Sequence, residues 1–334
     1  MEPILSVRNL KTYFYLEEGL VRAVDGLSYD LYPGKTMAIV GESGSGKSVH
    51  ALSIMRLIPE PPGRTVGGEI LYRGQDLLKL APDKMRHLRG SKIAMIFQEP
   101  MTSLNPVIRV GEQIAESAVV HLGLSPSKAH NKAVSLLKKV GIPNAKERAM
   151  DYPHQFSGGM RQRAMIAMAL ACDPDILIAD EPTTALDVTI QAQILELIRD
   201  VQKEFKMAVI LITHNIGVVA EMADDVVVMY AARAVEKASV AEIFASPKHP
   251  YTRGLLNSIP SLIGRKSRLV AIPGQPPQLT ERLRGCPFAP RCAEVMSECK
   301  QNDPVDFMLE KGRLVNCWLY RDAAASAMER GTHA

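Results

Sequence analysis

The sequence predicts an α/β fold with a parallel β-sheet, and two observations support this prediction. First, three short runs of the chain are continuously apolar and are bounded by polar residues or glycine. They are Met37–Val40, Ile176–Ala179 and Ala208–Ile212. Continuous rather than alternating hydrophobicity is typical of strands buried on both faces of a parallel sheet. Second, the runs lead to residues of chemical interest, namely Gly41, Asp180 and His214. Ligands bind beyond the carboxyl ends of such strands, so we expect a site at that edge of the sheet.

The pattern changes twice along the chain. Between about residues 105 and 160 it becomes helical and charged, as in Asn131–Val140, which predicts a small helical subdomain inserted in the sheet domain. After about residue 240, frequent prolines break regular structure. We therefore predict a sheet domain over residues 1–240 and a small, loop-rich C-terminal extension over residues 241–334.

Composition limits the classes of function. Hydrophobic residues make up 46% of the 334-residue chain, which is enough for a buried core. The formal net charge of +4 is too small to indicate a nucleic-acid-binding protein. The N-terminus lacks a signal-peptide pattern, and no run of about 18 apolar residues predicts a membrane span. We expect a cytoplasmic protein that serves any membrane process as a peripheral subunit.

The segment that follows the first apolar run has the spacing of a phosphate-binding loop. Residues 41–48 read Gly-Glu-Ser-Gly-Ser-Gly-Lys-Ser and precede a helical stretch, Ser48–Leu57. The glycines let backbone N–H groups close around phosphate oxygens, and the helix N-terminus adds a positive dipole. We expect Lys47 to reach the β- and γ-phosphates and the Ser48 hydroxyl to bind Mg²⁺. The other expected nucleotide contacts in this loop are Gly41, Ser43, Gly44, Ser45 and Gly46.

The other two apolar runs end in residues suited to nucleotide hydrolysis. Asp180 follows a buried strand and is predicted to hold Mg²⁺, while Glu181 is placed to polarise the attacking water. An acidic pair of this kind is by itself more often a helix cap or a solvated turn. His214 follows the third run, and we expect it to contact the γ-phosphate.

A second anion site is predicted at residues 156–163, Phe-Ser-Gly-Gly-Met-Arg-Gln-Arg. Ser157 is a good N-cap for a helix that continues through Met165–Leu170. Gly158 and Gly159 allow a ligand to approach the backbone closely, and free N–H groups at a helix start attract anions. A plain capped helix would not explain the pair of glycines.

Together these motifs resemble the nucleotide-binding subunits of ABC transporters. The resemblance implies the P-loop NTPase fold of that family, in which antiparallel strands accompany a mixed parallel sheet core and a helical subdomain is inserted. Residues 41–48 resemble the Walker A loop, Ile176–Asp180 with Glu181 the Walker B strand, and His214 the switch histidine. The family signature appears as residues 156–160, in which Ser157, Gly158, Gly159 and Met160 are the expected contacts to ATP bound by a partner. Gln98 within residues 96–100 resembles the Q-loop glutamine, which the resemblance implies is both a catalytic residue and a further Mg²⁺ ligand, and Asp187 lies in the D-loop. The resemblance also implies an aromatic that stacks on adenine, for which Phe14 is favoured over Tyr13.

The resemblance narrows to the oligopeptide/dipeptide importers. Residues 101–106, residues 249–252 and the C-terminal cysteine spacing all resemble that branch. It implies ATP and Mg²⁺, a second ABC ATPase in a heterodimer, two transmembrane permeases and a solute-binding protein. It also implies a place on the cytoplasmic face of the bacterial inner membrane. Di- and oligopeptides are the expected cargo, and nickel chelates, opines, glutathione or antimicrobial peptides are alternatives.

Four positions depart from the family pattern. Met160 replaces the signature glutamine, and Asn215 follows His214 where aspartate is usual. Ala232 and Ala238 stand where relatives usually have glycine. Because alanine resists the positive φ that a tight turn requires, these two residues put the local turn geometry in doubt.

Four of the five cysteines lie in the extension with the spacing C-x5-C-x6-C-x17-C, at Cys286, Cys292, Cys299 and Cys317. Four thiolates can hold either Zn²⁺ or an iron–sulfur cluster, and unliganded cysteines are the third possibility. Structural zinc usually shows shorter C-x2-4-C pairs. The resemblance to peptide transporters favours a [4Fe–4S] cluster, which we expect to stabilise an extension that has little core.

Two other functions fit parts of the pattern. A soluble ABC ATPase that acts on nucleic acid or ribosomes usually carries a coiled-coil insertion or two cassettes in one chain, and this sequence has neither. A regulatory protein that holds ATP without hydrolysing it would not need Glu181 and His214. We therefore expect an ATP-hydrolysing transport subunit.

Overall fold

The computed structural model describes residues 1–98, 103–184, 186–258, 272–280 and 284–322. The expectations for residues 99–102 and for Ala185 fall outside them. The chain forms two compact units. The first consists of Met1–Ile4, Leu31–Thr36 and Asp76–Ile212, and the second of Leu5–Asp30, Met37–Gln75 and Thr213–Ala334.

The described residues form both strands and helices. The strands are β1 Leu5–Leu16, β2 Gly19–Leu31, β3 Thr36–Val40, β4 Gly63–Tyr72, β5 Gln75–Asp76, β6 Ile93–Ile96, β7 Ile176–Asp180, β8 Ala208–Ile212, β9 Asp225–Tyr230, β10 Arg233–Ser239, β11 Phe307–Met308 and β12 Leu314–Val315. The α-helices are α1 Lys47–Ile54, α2 Pro82–Leu88, α3 Val110–Leu122, α4 Pro126–Lys139, α5 Ala145–Arg148, α6 Gly158–Ala169, α7 Val188–Phe205, α8 Ile216–Met222, α9 Val240–Ala245, α10 Pro250–Asn257 and α11 Ser297–Gln301.

The first unit contains a parallel sheet with strand order β6-β7-β8. Every residue of β7 and β8 is buried, as the continuous apolar runs predicted. Ile176 is opposite both Ile93 and Ala208, so the strands start level with one another. Their carboxyl ends therefore lie at one edge, and β7 delivers Asp180 there.

The charged stretch after residue 105 is helical, as predicted. Helices α3 and α4 are separated by Gly123, whose φ of +64° ends α3, and by Pro126 at the start of α4. Helix α6 follows them and carries Ala164, Ile166 and other apolar residues into the core. The division of the chain into a 1–240 domain and a 241–334 extension remains a prediction.

The second unit contains a mixed sheet and a separate antiparallel sheet. In the mixed sheet β3 pairs in parallel with β9, and β9, β10, β12 and β11 then pair antiparallel. In the other sheet β1 pairs antiparallel with β4, in the order β2-β1-β4-β5. The predicted combination of parallel and antiparallel strands is confirmed. Strand β3 ends at Val40, directly before the phosphate loop, residues 41–48.

An aromatic core ties the C-terminal extension to the second unit's mixed sheet. Tyr230 at the end of β9 packs against Tyr251 of α10 and Phe288, with ring centroids 4.6 Å and 5.2 Å apart. Deeper in the unit, Glu236 of β10 is fully buried and accepts a hydrogen bond from Arg313 and one from the His249 N–H. Because the pair is buried, the loss of either partner would leave an uncompensated charge in the core, so these contacts fix the extension on the sheet.

The two alanines at usual glycine positions differ in conformation. Ala232 lies in the β9–β10 turn with a φ of +70°, so the strain expected there is present. Ala238 instead lies within β10 and pairs with Val226, and the prediction that it occupies a tight turn is wrong. A strand residue has extended backbone, which alanine adopts without strain.

No helix within the described residues is long and apolar enough to cross a membrane. The longest, α7, has 18 residues and carries charged side chains throughout its second half.

Candidate functional site

The phosphate loop is held close to the neighbouring backbone, and only glycine fits at two of its positions. A Cβ atom on Gly41 would lie 2.2 Å from the Met229 carbonyl oxygen, and one on Gly46 would lie 2.0 Å from the Ala23 carbonyl oxygen. Gly46 also has a φ of +99°, in the region that disfavours side chains. The loop leads from β3 into the first turn of α1, and the first N–H groups of a helix have no partner within the helix.

The interior of the loop contains groups that fit a polyphosphate. The Lys47 side chain is buried, and its Nζ donates hydrogen bonds to the carbonyl oxygens of Gly41 and Glu42, both at 2.9 Å. The Ser45 hydroxyl is also buried, and it has no hydrogen-bond partner within the described part of the chain. A buried hydroxyl is usually paired, so this one is available to a ligand oxygen. Ser43 and Gly44 are exposed at the mouth of the loop, and Ser48 is half-buried.

Glu181 is fixed by two hydrogen bonds at the end of β7. Its Oε2 atom accepts one from Gln98 Nε2 at 3.1 Å and one from Thr184 Oγ1 at 2.9 Å. Its φ of +46° is unusual for a residue with a side chain. Strained backbone of this kind concentrates at functional sites. Asp180, the last residue of β7, is buried.

The signature segment and the D-loop also lie together in the first unit. Ser157 caps α6 by accepting a hydrogen bond from the Met160 N–H at 3.3 Å, as predicted. A Cβ atom on Gly159 would lie 3.0 Å from Ile190 Cγ2. Asp187 caps the neighbouring helix α7 through the Ile190 N–H at 2.9 Å. Ser157, Gly158 and Asp187 are exposed, so the start of α6 is open to a partner molecule.

His214 follows β8 and is exposed. The next residue, Asn215, caps α8 by accepting hydrogen bonds from the N–H groups of Gly217 and Val218, at 2.9 Å and 3.4 Å. Asparagine and aspartate are equally good N-caps, so the departure from the usual aspartate leaves this helix start intact.

The two candidate adenine aromatics have different surroundings. The Tyr13 hydroxyl donates to Asp25 at 2.8 Å, and partial burial together with Asp25 raises the pKa of Tyr13 to about 12. Phe14 has no polar group to satisfy and is half-buried opposite Gly63 in β4. Tyr13 is therefore engaged in the sheet, and Phe14 remains the better candidate.

The four cysteines of the extension are neighbours. Cys286 and Cys292 pack against the aromatic core, and the Cys286 N–H donates to the Cys299 carbonyl at 2.7 Å. Burial raises the pKa of the Cys286 thiol to about 11 and that of Cys317 to about 12, and in each case the other cysteines add to the rise. In the arrangement that the described residues adopt, however, no three His, Cys, Asp or Glu side chains form a metal-binding group. The described residues therefore do not support the predicted metal site.

Two residues that contact the phosphate loop were missed by sequence reasoning. Tyr251 and Arg291 both bind Glu42, although they are 209 and 249 residues away along the chain. The only sequence signal was indirect, because Tyr251 lies in a segment that resembles peptide importers and Arg291 precedes Cys292.

Family models match two parts of the chain. The model described as ABC transporter matches residues 24–184, which include the phosphate loop, the signature segment and Glu181. The model described as oligopeptide/dipeptide transporter, C-terminal region, matches residues 235–299.

Curated proteins match nearly the whole length. The probable peptide ABC transporter ATP-binding protein y4tR of Sinorhizobium fredii is 54% identical over 316 residues, covering 94% of each chain. The dipeptide transport ATP-binding protein DppD of Bacillus subtilis is 51% identical over 331 residues, covering 99% of each chain. Among solved structures, the dimeric ABC transporter cassette MJ0796 covers 71% of this chain and 98% of its own, with 26% identity and a TM-score of 0.63. The chain belongs to the ABC transporter family, as an ATP-binding and ATP-hydrolysing subunit of the oligopeptide/dipeptide branch.

Proposed function

We propose that the chain powers the import of di- or oligopeptides across the cytoplasmic membrane. The observation that carries this proposal is the similarity along the whole chain, extension included, to proteins named for dipeptide and peptide transport. A cassette alone would indicate only ATP-driven work, since the same fold serves many transporters. The match of residues 235–299 to the oligopeptide/dipeptide transporter C-terminal region favours peptides as the cargo.

The proposed ATP chemistry is divided among the motifs. Lys47 and the backbone of the phosphate loop bind the β- and γ-phosphates, and the unpartnered Ser45 hydroxyl supports this role. Glu181 polarises the attacking water, with Gln98 and Thr184 fixing its carboxylate. Ser48, Gln98 and Asp180 are the proposed Mg²⁺ ligands by their motif positions. His214 contacts the γ-phosphate, and Phe14 stacks on adenine.

Each ATP is shared between two chains in this proposal. The exposed start of α6, with Ser157, Gly158, Gly159 and Met160, binds the γ-phosphate of ATP held by a partner cassette, and Asp187 lies beside it. N–H groups at a helix start favour an anion, which supports the assignment. The solved cassette of similar fold is a dimer. The partner is a second, similar ATPase, and ATP binding closes the pair.

Purification from membranes tests the proposed assembly. The tagged full-length chain, extracted in mild detergent, is expected to retain two hydrophobic permeases and a second cassette subunit. We propose that it lies on the cytoplasmic face of the membrane as a peripheral subunit. A chain recovered with ribosomes or nucleic acid and without permeases would contradict the proposal.

For the cofactor, we propose that the four cysteines bind a [4Fe–4S] cluster, with Zn²⁺ as the alternative. Four cysteines within one small extension support it, because thiolates are the donors for either group and Cys317 interacts electrostatically with the other three. When bound, the group would cross-link the extension. The side chains would have to rotate from their present positions to form a ligand set.

Anaerobic purification followed by metal analysis distinguishes the iron–sulfur cluster from Zn²⁺. The cluster predicts iron, sulfide and a broad absorbance near about 400 nm, all lost together in Cys286→Ser. Cys172→Ser is the matched control, since Cys172 lies in the first unit, and it should leave the iron content unchanged. Stoichiometric zinc without iron would select the alternative, and a metal-free, fully folded chain would reject both.

A further inference from the structure

Within the described residues, the extension bonds to the phosphate loop at Glu42 through two of its residues, Tyr251 and Arg291, and Lys47 of the loop itself binds a third group of Glu42. The Glu42 N–H donates to the Tyr251 hydroxyl at 3.0 Å. Its carboxylate accepts two hydrogen bonds from Arg291, at 2.8 Å and 3.1 Å. Its carbonyl oxygen accepts from Lys47 Nζ at 2.9 Å. Glu42 occupies a variable position of the loop motif, so the motif itself does not account for these contacts.

Arg291 is held in one orientation because each of its five side-chain N–H groups has an acceptor. Besides the two bonds to Glu42, it donates to the Tyr230 hydroxyl at 3.3 Å and to the carbonyls of Pro273 and Ile272 at 2.9 Å and 3.4 Å. Its guanidinium carbon also lies 5.8 Å from the Tyr230 ring centroid. A guanidinium that uses all its donors has a fixed fork geometry, which lysine cannot reproduce.

This pair differs from a surface ion pair in its burial. The Arg291 side chain is 6% exposed and the Glu42 side chain 26% exposed. Screening by water is weak at that depth, and a two-bond pair is both stronger and more directional than a solvated one. Tyr251, which holds the Glu42 N–H, is fully buried.

The contacts have a consequence for nucleotide binding. Lys47 bonds to the carbonyls of Gly41 and Glu42, and it must leave them to reach a phosphate. When it does, Glu42 keeps its bonds to Tyr251 and Arg291. We propose that Arg291 is a positioning residue, which with Tyr251 holds the phosphate loop in its phosphate-accepting shape through Glu42. The C-terminal extension thereby sets the affinity for ATP. This inference rests on the proposed role of the phosphate loop.

A double-mutant cycle on the full-length chain tests the inference. Glu42→Gln keeps the size of the side chain and removes its charge, and Arg291→Gln removes the fork. Each is expected to raise the KM and Kd for MgATP about tenfold while kcat changes less than about twofold, because charged hydrogen bonds of this strength are lost. The double variant is expected to match the single variants, because both remove the same interaction. Arg291→Lys should fall between Arg291→Gln and the unchanged protein.

The matched control is Arg321→Gln, which removes another extension arginine, one that pairs with Glu298 at the surface. The ATP affinity of Arg321→Gln should stay unchanged. The loss of Tm in Glu42→Gln should not exceed the loss of Tm in this control. Unchanged ATP affinity in Glu42→Gln and Arg291→Gln, or an effect in the double variant that multiplies to about 100-fold, would overturn the inference. Lys47→Ala distinguishes a failure of the proposed phosphate-loop function from a failure of the proposed role of Arg291. If it binds ATP normally, the loop assignment itself fails; if it loses ATP while Glu42→Gln does not, only the role of Arg291 fails.

Discussion

Glu181→Gln is expected to reduce steady-state ATP hydrolysis by the assembled transporter at least about 100-fold while leaving MgATP affinity within about twofold. Removing a general base costs factors of this order. The glutamine keeps the shape of the side chain and can still accept the hydrogen bond that Thr184 donates to Oε2 at 2.9 Å. The structure at the end of β7 is therefore retained, and only the ability to polarise water is lost. Phosphate release and equilibrium binding of a fluorescent ATP analogue measure the two quantities separately.

The matched control for this change is Glu196→Gln, which removes a carboxylate from the exposed face of α7. It should hydrolyse ATP at the unchanged rate. If Glu181→Gln retained more than about a tenth of the activity, the general-base role of Glu181 would be rejected. If Glu181→Gln lost ATP binding as well, Glu181 would act by contacting the bound nucleotide rather than by polarising the water.

Gly46→Ala is expected to weaken ATP binding about 100-fold. Its Cβ atom would lie 2.0 Å from the Ala23 carbonyl oxygen, a backbone atom that cannot turn aside. Relief requires a shift of the loop and the first turn of α1, and overpacking of this kind costs up to about 3 kcal/mol, which corresponds to about two decades of affinity. Titration calorimetry with MgATP measures the loss.

Gly74→Ala provides the comparison, because Gly74 has a φ of +80° but its Cβ atom would meet nothing within 4 Å. It carries the same backbone strain without the collision, so it should lower the Tm slightly and leave ATP affinity unchanged. Equal losses of ATP affinity in the two variants would contradict the account of the loop. Equal losses of Tm in Gly46→Ala and Gly74→Ala, with ATP affinity retained in both, would also contradict the proposed collision of the Gly46→Ala side chain.

The parts of this protein that follow from local pattern could be predicted from its sequence. The three apolar runs form the strands β3, β7 and β8, because short, continuously apolar segments are typical of strands buried on both faces of a sheet. Ser157 was predicted as the cap of α6 because its side chain needs only an N–H three residues away.

Contacts between distant residues could not be predicted in this way. Arg291 and Glu42 are 249 residues apart, and nothing in either segment indicates the other. The position of Ala238 was also misjudged, since a usual glycine was taken to mark a turn where the chain has a strand pair with Val226. The thiols of the extension illustrate a further limit: spacing brings cysteines together, but it does not orient them for a metal.

The central claim is that ATP hydrolysis by this chain drives peptide import, and transport in reconstituted vesicles tests it most directly. The purified complex is placed in vesicles with ATP on the side that exposes this chain and the solute-binding protein with a labelled dipeptide on the other. The account predicts peptide accumulation that needs both ATP and the solute-binding protein and that is lost with Glu181→Gln. ATP hydrolysis that continues without any peptide accumulation, at a rate indifferent to the solute-binding protein, would contradict it.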